Sequence, residues 1–243
     1  MSKSYSNIIN NKTANIYYEV HGKGEALVLL HGNGENLEYF KNQIEYFSNK
    51  YMVIAIDTRG HGKSTKGNIP FDFWLFSDDV ISILDKVNIK KAHILGFSDG
   101  GNTALHLGLK YPDRIRSLIL NGANFNPNGV KFLVQAPVIL GYYLSIIFSL
   151  CSNKAKNNRD ILNLMVNEPK LSKEQLEKIK IPTLVIAGDN DMIKENHTKL
   201  ISRLIENSEV NIISNSSHFV AAENPKEFNK IVEDFLNKHK IED

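Results

Sequence analysis

Ile94-Leu95-Gly96-Phe97-Ser98-Asp99-Gly100-Gly101-Asn102 is the stretch on which the fold turns. Ala92, Ile94 and Leu95 suit a strand covered on both faces, and Ala104, Leu105 and Leu107 open a helical apolar pattern. Between them stands Gly-x-Ser-x-Gly, a strand-to-helix turn with a serine at its tip. The reason for the glycines is steric. A serine held in an unfavourable backbone conformation leaves no room for side chains two residues away, and Gly96 and Gly100 supply that room. Gly101 lets the helix lie close to its strand.

Outward from this point, apolar runs and helical stripes alternate. Tyr5–Asn10 and Ala14–Val20 read as an antiparallel pair turning at Asn10-Asn11-Lys12. Glu25–Leu30 and Tyr51–Ile56 read as buried strands, separated by a helix with Leu37, Phe40, Ile44 and Phe47 on one face. Phe76, Val80, Ile81, Leu84 and Val87 mark the next helix, and Ile115–Leu120 a strand after the elbow helix. Ile181–Ala187 and Val210–Ile213 are the last strands. Leu200, Ile201, Leu204 and Ile205 mark the helix between them, and Phe228, Ile231, Val232, Phe235 and Leu236 the closing one.

This alternation predicts an α/β fold: a mostly parallel central sheet with helices on both faces, residues 1–121 and 181–243 forming the core. Residues 122–180 have helical apolar runs and no convincing strand, which predicts a short helical cap inserted over the C-terminal edge of the sheet.

Lys and Arg number 29 against 27 Asp and Glu, a balance that argues against a nucleic-acid or polyanionic partner. The single cysteine, Cys151, excludes an internal disulfide and fits a reducing compartment, and Met1–Asn7 carries no apolar signal core. The expectation is a cytoplasmic protein. Phe132–Asn153 holds no charge, but Gln135, Pro137, Gly141, Ser145 and Ser149 interrupt it between two halves of one sheet. A buried or covering helix, with no stable membrane insertion, is expected there. The oligomeric state is not legible.

A serine hydroxyl needs a base, and the base needs an orienting group. Of the eight histidines, His218 alone lies in the loop directly after the last strand, where that loop would hang over the edge that holds Ser98. Gly188-Asp189-Asn190-Asp191 follows the preceding strand at the same edge, and residue chemistry alone leaves both acids open as partners of His218. His31-Gly32-Asn33-Gly34 is a donor-rich turn after a strand. The backbone amides of Asn33 and Asp99 are therefore the candidates for holding an oxyanion. A carboxylate beside a developing negative charge opposes catalysis, so the Asp99 side chain is expected to turn away and cap the helix. Gly62-Lys63-Ser64 is not a phosphate-binding loop, because Asp57 stands where that loop requires its first glycine. No glycine fingerprint for a dinucleotide and no Cys/His cluster for zinc is present; no cofactor and no metal are expected.

The order Ser98, Asp191, His218, with His31-Gly32 early and the elbow in mid-chain, resembles the α/β-hydrolase superfamily from about Tyr17 onward. Asp57-Thr58-Arg59-Gly60-His61-Gly62-Lys63-Ser64 is similar to that family's Asp-x-Arg-Gly-x-Gly-x-Ser loop, and Gly188–Asp191 to its Gly-x-x-Asp acid motif. The resemblance implies Asp191, not Asp189, as the acid, and agrees with Asn33 and Asp99 as oxyanion donors. Some members keep the acid after the preceding strand, where Asn121 and Asn124 stand here, and members with an aspartate nucleophile are disfavoured by Ser98.

What the resemblance implies is a small esterase-like serine hydrolase acting on an ester or thioester of a small molecule. Lactonases, C–C bond hydrolases and cofactor-free haloperoxidases or perhydrolases share the fold. A non-catalytic ligand receptor is the alternative from outside catalysis. Ile146 and Ile147 of the cap, with Phe219 beside His218, are the residues expected to line the substrate pocket.

Overall fold

The computed structural model describes residues 5–148 and 153–240, with the backbone alone for residues 147, 148 and 153–158. Cys151 lies outside the described residues. The chain opens with β1 (Tyr5–Asn11) and β2 (Ala14–His21), joined at Lys12, whose φ of 56° is the left-handed turn. β3 (Ala26–Leu30), α1 (Lys41–Phe47), β4 (Met52–Ile56) and α2 (Phe73–Lys86) follow. Then come β5 (Ala92–Phe97), α3 (Asp99–Lys110) and β6 (Ile115–Asn121). The helices α4 (Phe132–Phe148), α5 (Asn153–Asn167) and α6 (Lys173–Leu176) separate β6 from β7 (Thr183–Gly188). α7 (Glu195–Leu204), β8 (Ser208–Ile213), α8 (Val220–Glu223) and α9 (Pro225–Lys238) complete the chain.

Eight strands form one sheet in the order β1-β2-β4-β3-β5-β6-β7-β8. β1 and β2 are antiparallel to their neighbours, and every pair from β4 to β8 is parallel. Parallel strands buried on both faces read as unbroken apolar runs, and all five residues of β3 are buried for this reason. Their side chains still alternate. Val28, Leu30, Ile54, Ile56 and Ile94 pack with α2 and α3, whereas Leu27, Leu29, Val53, Leu95 and Phe97 pack with Phe228, Val232 and Phe235 of α9. The register places Leu30 against Gly96, Phe97 against Asn121 and Gly188 against Ile213, so five strands end along one edge.

Three elements depart from expectation at their ends, one of them β8, which begins at Ser208, two residues before the expected Val210. The helix expected from Leu37 begins instead as a 3-10 turn over Leu37–Phe40, which the Asn36 side chain caps by accepting from the Glu38 N–H. β7 starts at Thr183, since Pro182 has no N–H for the ladder; its carbonyl accepts from Leu118 N at 2.9 Å. Between β6 and β7 the described residues form helices and one isolated bridge, Val130 to Ile193. No helix among the described residues is long and apolar enough to cross a membrane.

Candidate active site

The elbow is built from close backbone approaches. Ser98 has φ 53° and ψ −116°, a conformation that costs about 1–3 kcal/mol and persists only where the surroundings enforce it. A methyl group at Gly96 would lie 2.2 Å from the Gly100 carbonyl oxygen, and one at Gly100 would lie 1.9 Å from that of Leu30. Gly101 faces Ala123, where an added Cβ would come within 2.8 Å of the alanine methyl. The Ser98 N–H donates to Asn121 O at 2.8 Å, and the Ser98 carbonyl accepts from Asn102 N at 2.9 Å. The serine is thus tied to β6 on one side and to α3 on the other.

The loop after β8 brings His218 to the same edge, and the turn after β7 brings Asp191. His218 Nδ1 lies 2.7 Å from Asp191 Oδ1, which also accepts from the Ile193 N–H at 2.8 Å; both side chains are buried. A carboxylate on Nδ1 fixes the tautomer: Nδ1 carries the proton and Nε2 presents a lone pair. Nε2 bonds no described residue, so the Ser98 hydroxyl stands without a hydrogen bond to it. The imidazole rests on the Phe97 ring, centroids 4.8 Å apart.

Asp189, the rival acid, is exposed and accepts from Ser216 N at 3.1 Å, fastening the turn. Gly122, unremarked in the sequence, lies under the pair. With φ +60° it brings its backbone so close that an added Cβ would stand 2.7 Å from His218 Cε1 and 3.2 Å from Asp191 Oδ2. An Asn-Gly pair at the end of a strand was the available signal.

The turn after β3 passes over Ser98: a Cβ at Gly32 would come within 3.2 Å of the serine Cβ. His31 holds this turn. Its Nδ1–H donates to Gly32 O at 2.7 Å, while its Nε2 accepts from Thr58 N at 3.0 Å. Burial lowers its pKa to about 3, which keeps the ring neutral. Among the described residues no acceptor is bonded to the N–H of Asn33 or Asp99.

The Asp99 side chain does not turn away as expected. Asp99 borders two small cavities, one of them lined by Ser98, and Asn102 Nδ2 lies 3.4 Å from its Oδ1. Burial pushes its pKa up to about 6, against the lowering influence of the Asn33 side chain, His218 and Asn102. Glu35 is raised as well, chiefly by burial.

One cavity of about 40 Å³ is bounded by Ser98, Asp99, Asn124, Val134, Gln135, Val138 and Met165, among others. A second, of about 10 Å³, lies between His31, Asn33, His61, Phe76 and Asp99. Among the described residues neither is lined by a lysine or an arginine. α4 therefore contributes to the cavity beside Ser98 through Val134, Gln135 and Val138, and these residues the sequence reading did not single out.

Ile146 stands elsewhere, in an outer groove with Lys66, Tyr142 and Asn163, because it falls two turns further along α4. The Ile147 side chain lies outside the described residues. Phe219 is at the rim, its ring 5.7 Å from those of Phe97 and His218.

The Asp57–Ser64 loop is structural. Asp57 accepts from Leu37 N and Lys63 N at 2.9 and 2.7 Å, and Gly62 leaves room for that carboxylate. Arg59, fully buried, forms a two-pronged pair with Asp79. Among the described residues no group of His, Cys, Asp or Glu is arranged to hold a metal.

Sheet order, elbow, edge and loop together define a known class. Residues 25–147 match the alpha/beta hydrolase fold family, and the chain belongs to that family. It is similar to 3-oxoadipate enol-lactonase 2 of Acinetobacter baylyi, 27% identical over 91% of this chain and 92% of that one. It is likewise similar to the serine hydrolase BPHL of Homo sapiens, 26% identical over 91% of this chain and 82% of that protein. Among solved structures, Est816, an N-acyl homoserine lactone degrading enzyme, superposes with a TM-score of 0.78 at 27% identity. That match covers 94% of this chain and all of Est816.

Proposed function

We propose that the protein hydrolyses a carboxylic ester or thioester of a small, partly apolar substrate through an acyl-enzyme. The observation that carries this reading is the buried 2.7 Å His218–Asp191 pair at the sheet edge where Ser98 is held in its strained turn. Ser98 Oγ attacks the carbonyl carbon as its proton passes to His218 Nε2, and the tetrahedral oxyanion is held by the N–H groups of Asn33 and Asp99. The C–O or C–S bond breaks and the leaving group takes that proton. Water, deprotonated by the same nitrogen, then attacks the acyl carbon; the bond to Ser98 Oγ breaks, Oγ takes that proton back, and the acid is released. Asp191 keeps the tautomer and stabilises the imidazolium. The Ser98–His218 hydrogen bond forms as substrate enters, since such bonds are often long without ligand. Residues 122–180 act as the cap over this edge.

Two relatives named for lactones support a second reading, ring opening of a cyclic ester by the same steps. The carboxyl of Asp99, with no lysine or arginine among the described residues that line either cavity, favours an uncharged or cationic acyl group over one bearing a carboxylate.

A fluorophosphonate probe is expected to label the wild type and not Ser98→Ala. That variant should lose roughly 10⁴-fold or more in kcat while folding normally. A folded wild type that resists the probe, or an active Ser98→Ala, removes the mechanism. A panel of open esters, thioesters and lactones with neutral and anionic acyl groups then separates the two readings.

A further inference from the structure

α4 has two unlike faces. Gln135 and Val138 face inward and line the cavity, which the partly exposed Val134 also borders, and Gln135 donates to Met165 O. At 100° per residue, Phe132, Leu133, Ala136, Pro137, Leu140, Tyr143 and Leu144 fall within an arc of roughly 140° on the opposite side. The large side chains of that arc stand in solvent: Phe132 is 74% exposed, Leu133 86%, Leu140 62%, Tyr143 60% and Leu144 46%. Scattered apolar side chains on a surface need no explanation, but a continuous helical face of them does.

We infer that this outer face of α4 seats on an anionic lipid surface, lying in the plane of the interface without crossing it. Charge selects that occupant. From Gly122 to Asn158 the chain carries Lys131, Lys154 and Lys156 and no aspartate or glutamate. An apolar helix face on a cationic segment is what an anionic headgroup layer attracts and its acyl boundary accepts. A second copy of this chain is disfavoured by the same count, because docking two such segments brings like charges together. At 17 residues α4 is about 25 Å long and fits the interfacial plane. Its inner face borders the Ser98 cavity, so docking leaves that cavity one helix diameter, about 10 Å, from the lipid.

The test is co-sedimentation of the full chain with vesicles of phosphatidylcholine alone and of phosphatidylcholine with phosphatidylglycerol. Wild type should bind the anionic vesicles at least tenfold more tightly than the neutral ones. The double variant Leu133→Glu/Leu140→Glu should lose at least tenfold of that binding with its melting temperature unchanged, and Lys131→Glu should lose less. Absence of wild-type binding to anionic vesicles overturns the inference. So does equal binding by the double variant, or a solution dimer that the double variant dissociates while vesicles stay unbound.

Discussion

β5 and α4 are both apolar, yet they live under opposite constraints. Every residue of β5 is buried, and at its end Gly96, Ser98 and Gly100 leave no space for one more methyl group. α4 touches the rest of the molecule along one face and leaves leucines and a phenylalanine in water along the other. An apolar run therefore reports on packing only when a partner covers it. In β5, apolar content measures tightness; in α4 it measures a surface still to be covered. The same contrast holds for chemistry. The His218–Asp191 pair sits in the tight region, where a displacement of a few tenths of an ångström changes its geometry.

Gly122→Ala presses hardest on that contrast. The new methyl would meet the His218 ring and the Asp191 carboxylate at a residue with φ +60°, so the imidazole must shift. Steady-state kinetics should show kcat lowered by about 100-fold with KM nearly unchanged, the pattern of a displaced catalytic group. Full activity in Gly122→Ala would mean that the pair has more room than its packing indicates.

Asp99→Asn has the next largest effect and acts through pH. The carboxyl titrates near 6 in the folded protein and near the ordinary aspartate value when unfolded. Between those values the native state holds more protons than the unfolded state, so stability falls as pH rises through that window. Above the window the buried charge costs about 3 kcal/mol. Chemical denaturation should find Asp99→Asn more stable than wild type by roughly that amount at pH 8. The two should converge near pH 4. A difference that is constant across pH would place the carboxyl in water.

Most of the sheet was legible because parallel strands write their burial directly as Val, Ile and Leu runs. The elbow was legible because close backbone contact at Gly96 and Gly100 admits only glycine. What stayed hidden depends on distances that one chain segment cannot report. Gly122 is defined by two side chains that arrive from residues 191 and 218, far along the chain. The direction of Asp99 depends on Asn33 and Asn102, polar partners that reach its carboxyl from two different segments. On α4 the apolar run marked a covering helix, but Val134, Gln135 and Val138 border the cavity while Ile146 falls in an outer groove. Helical periodicity gives a face; only the docking of the helix says which turn of it reaches the serine.

The smallest expected effect is the sharpest form of the comparison. Leu140 on α4 and Leu95 on β5 are the same residue in the two regimes, 62% and 0% exposed. Leu95→Ala removes a side chain from a filled core and leaves a cavity, which costs about 2–5 kcal/mol. Leu140→Gln replaces a side chain that water already surrounds. Its cost in stability should be within about 0.5 kcal/mol, the range of surface substitutions. Urea denaturation of the two variants should therefore show one midpoint far below that of wild type and one beside it. If Leu140→Gln destabilised the isolated chain as Leu95→Ala does, the outer face of α4 would already be covered in solution, and the two regions would obey one rule.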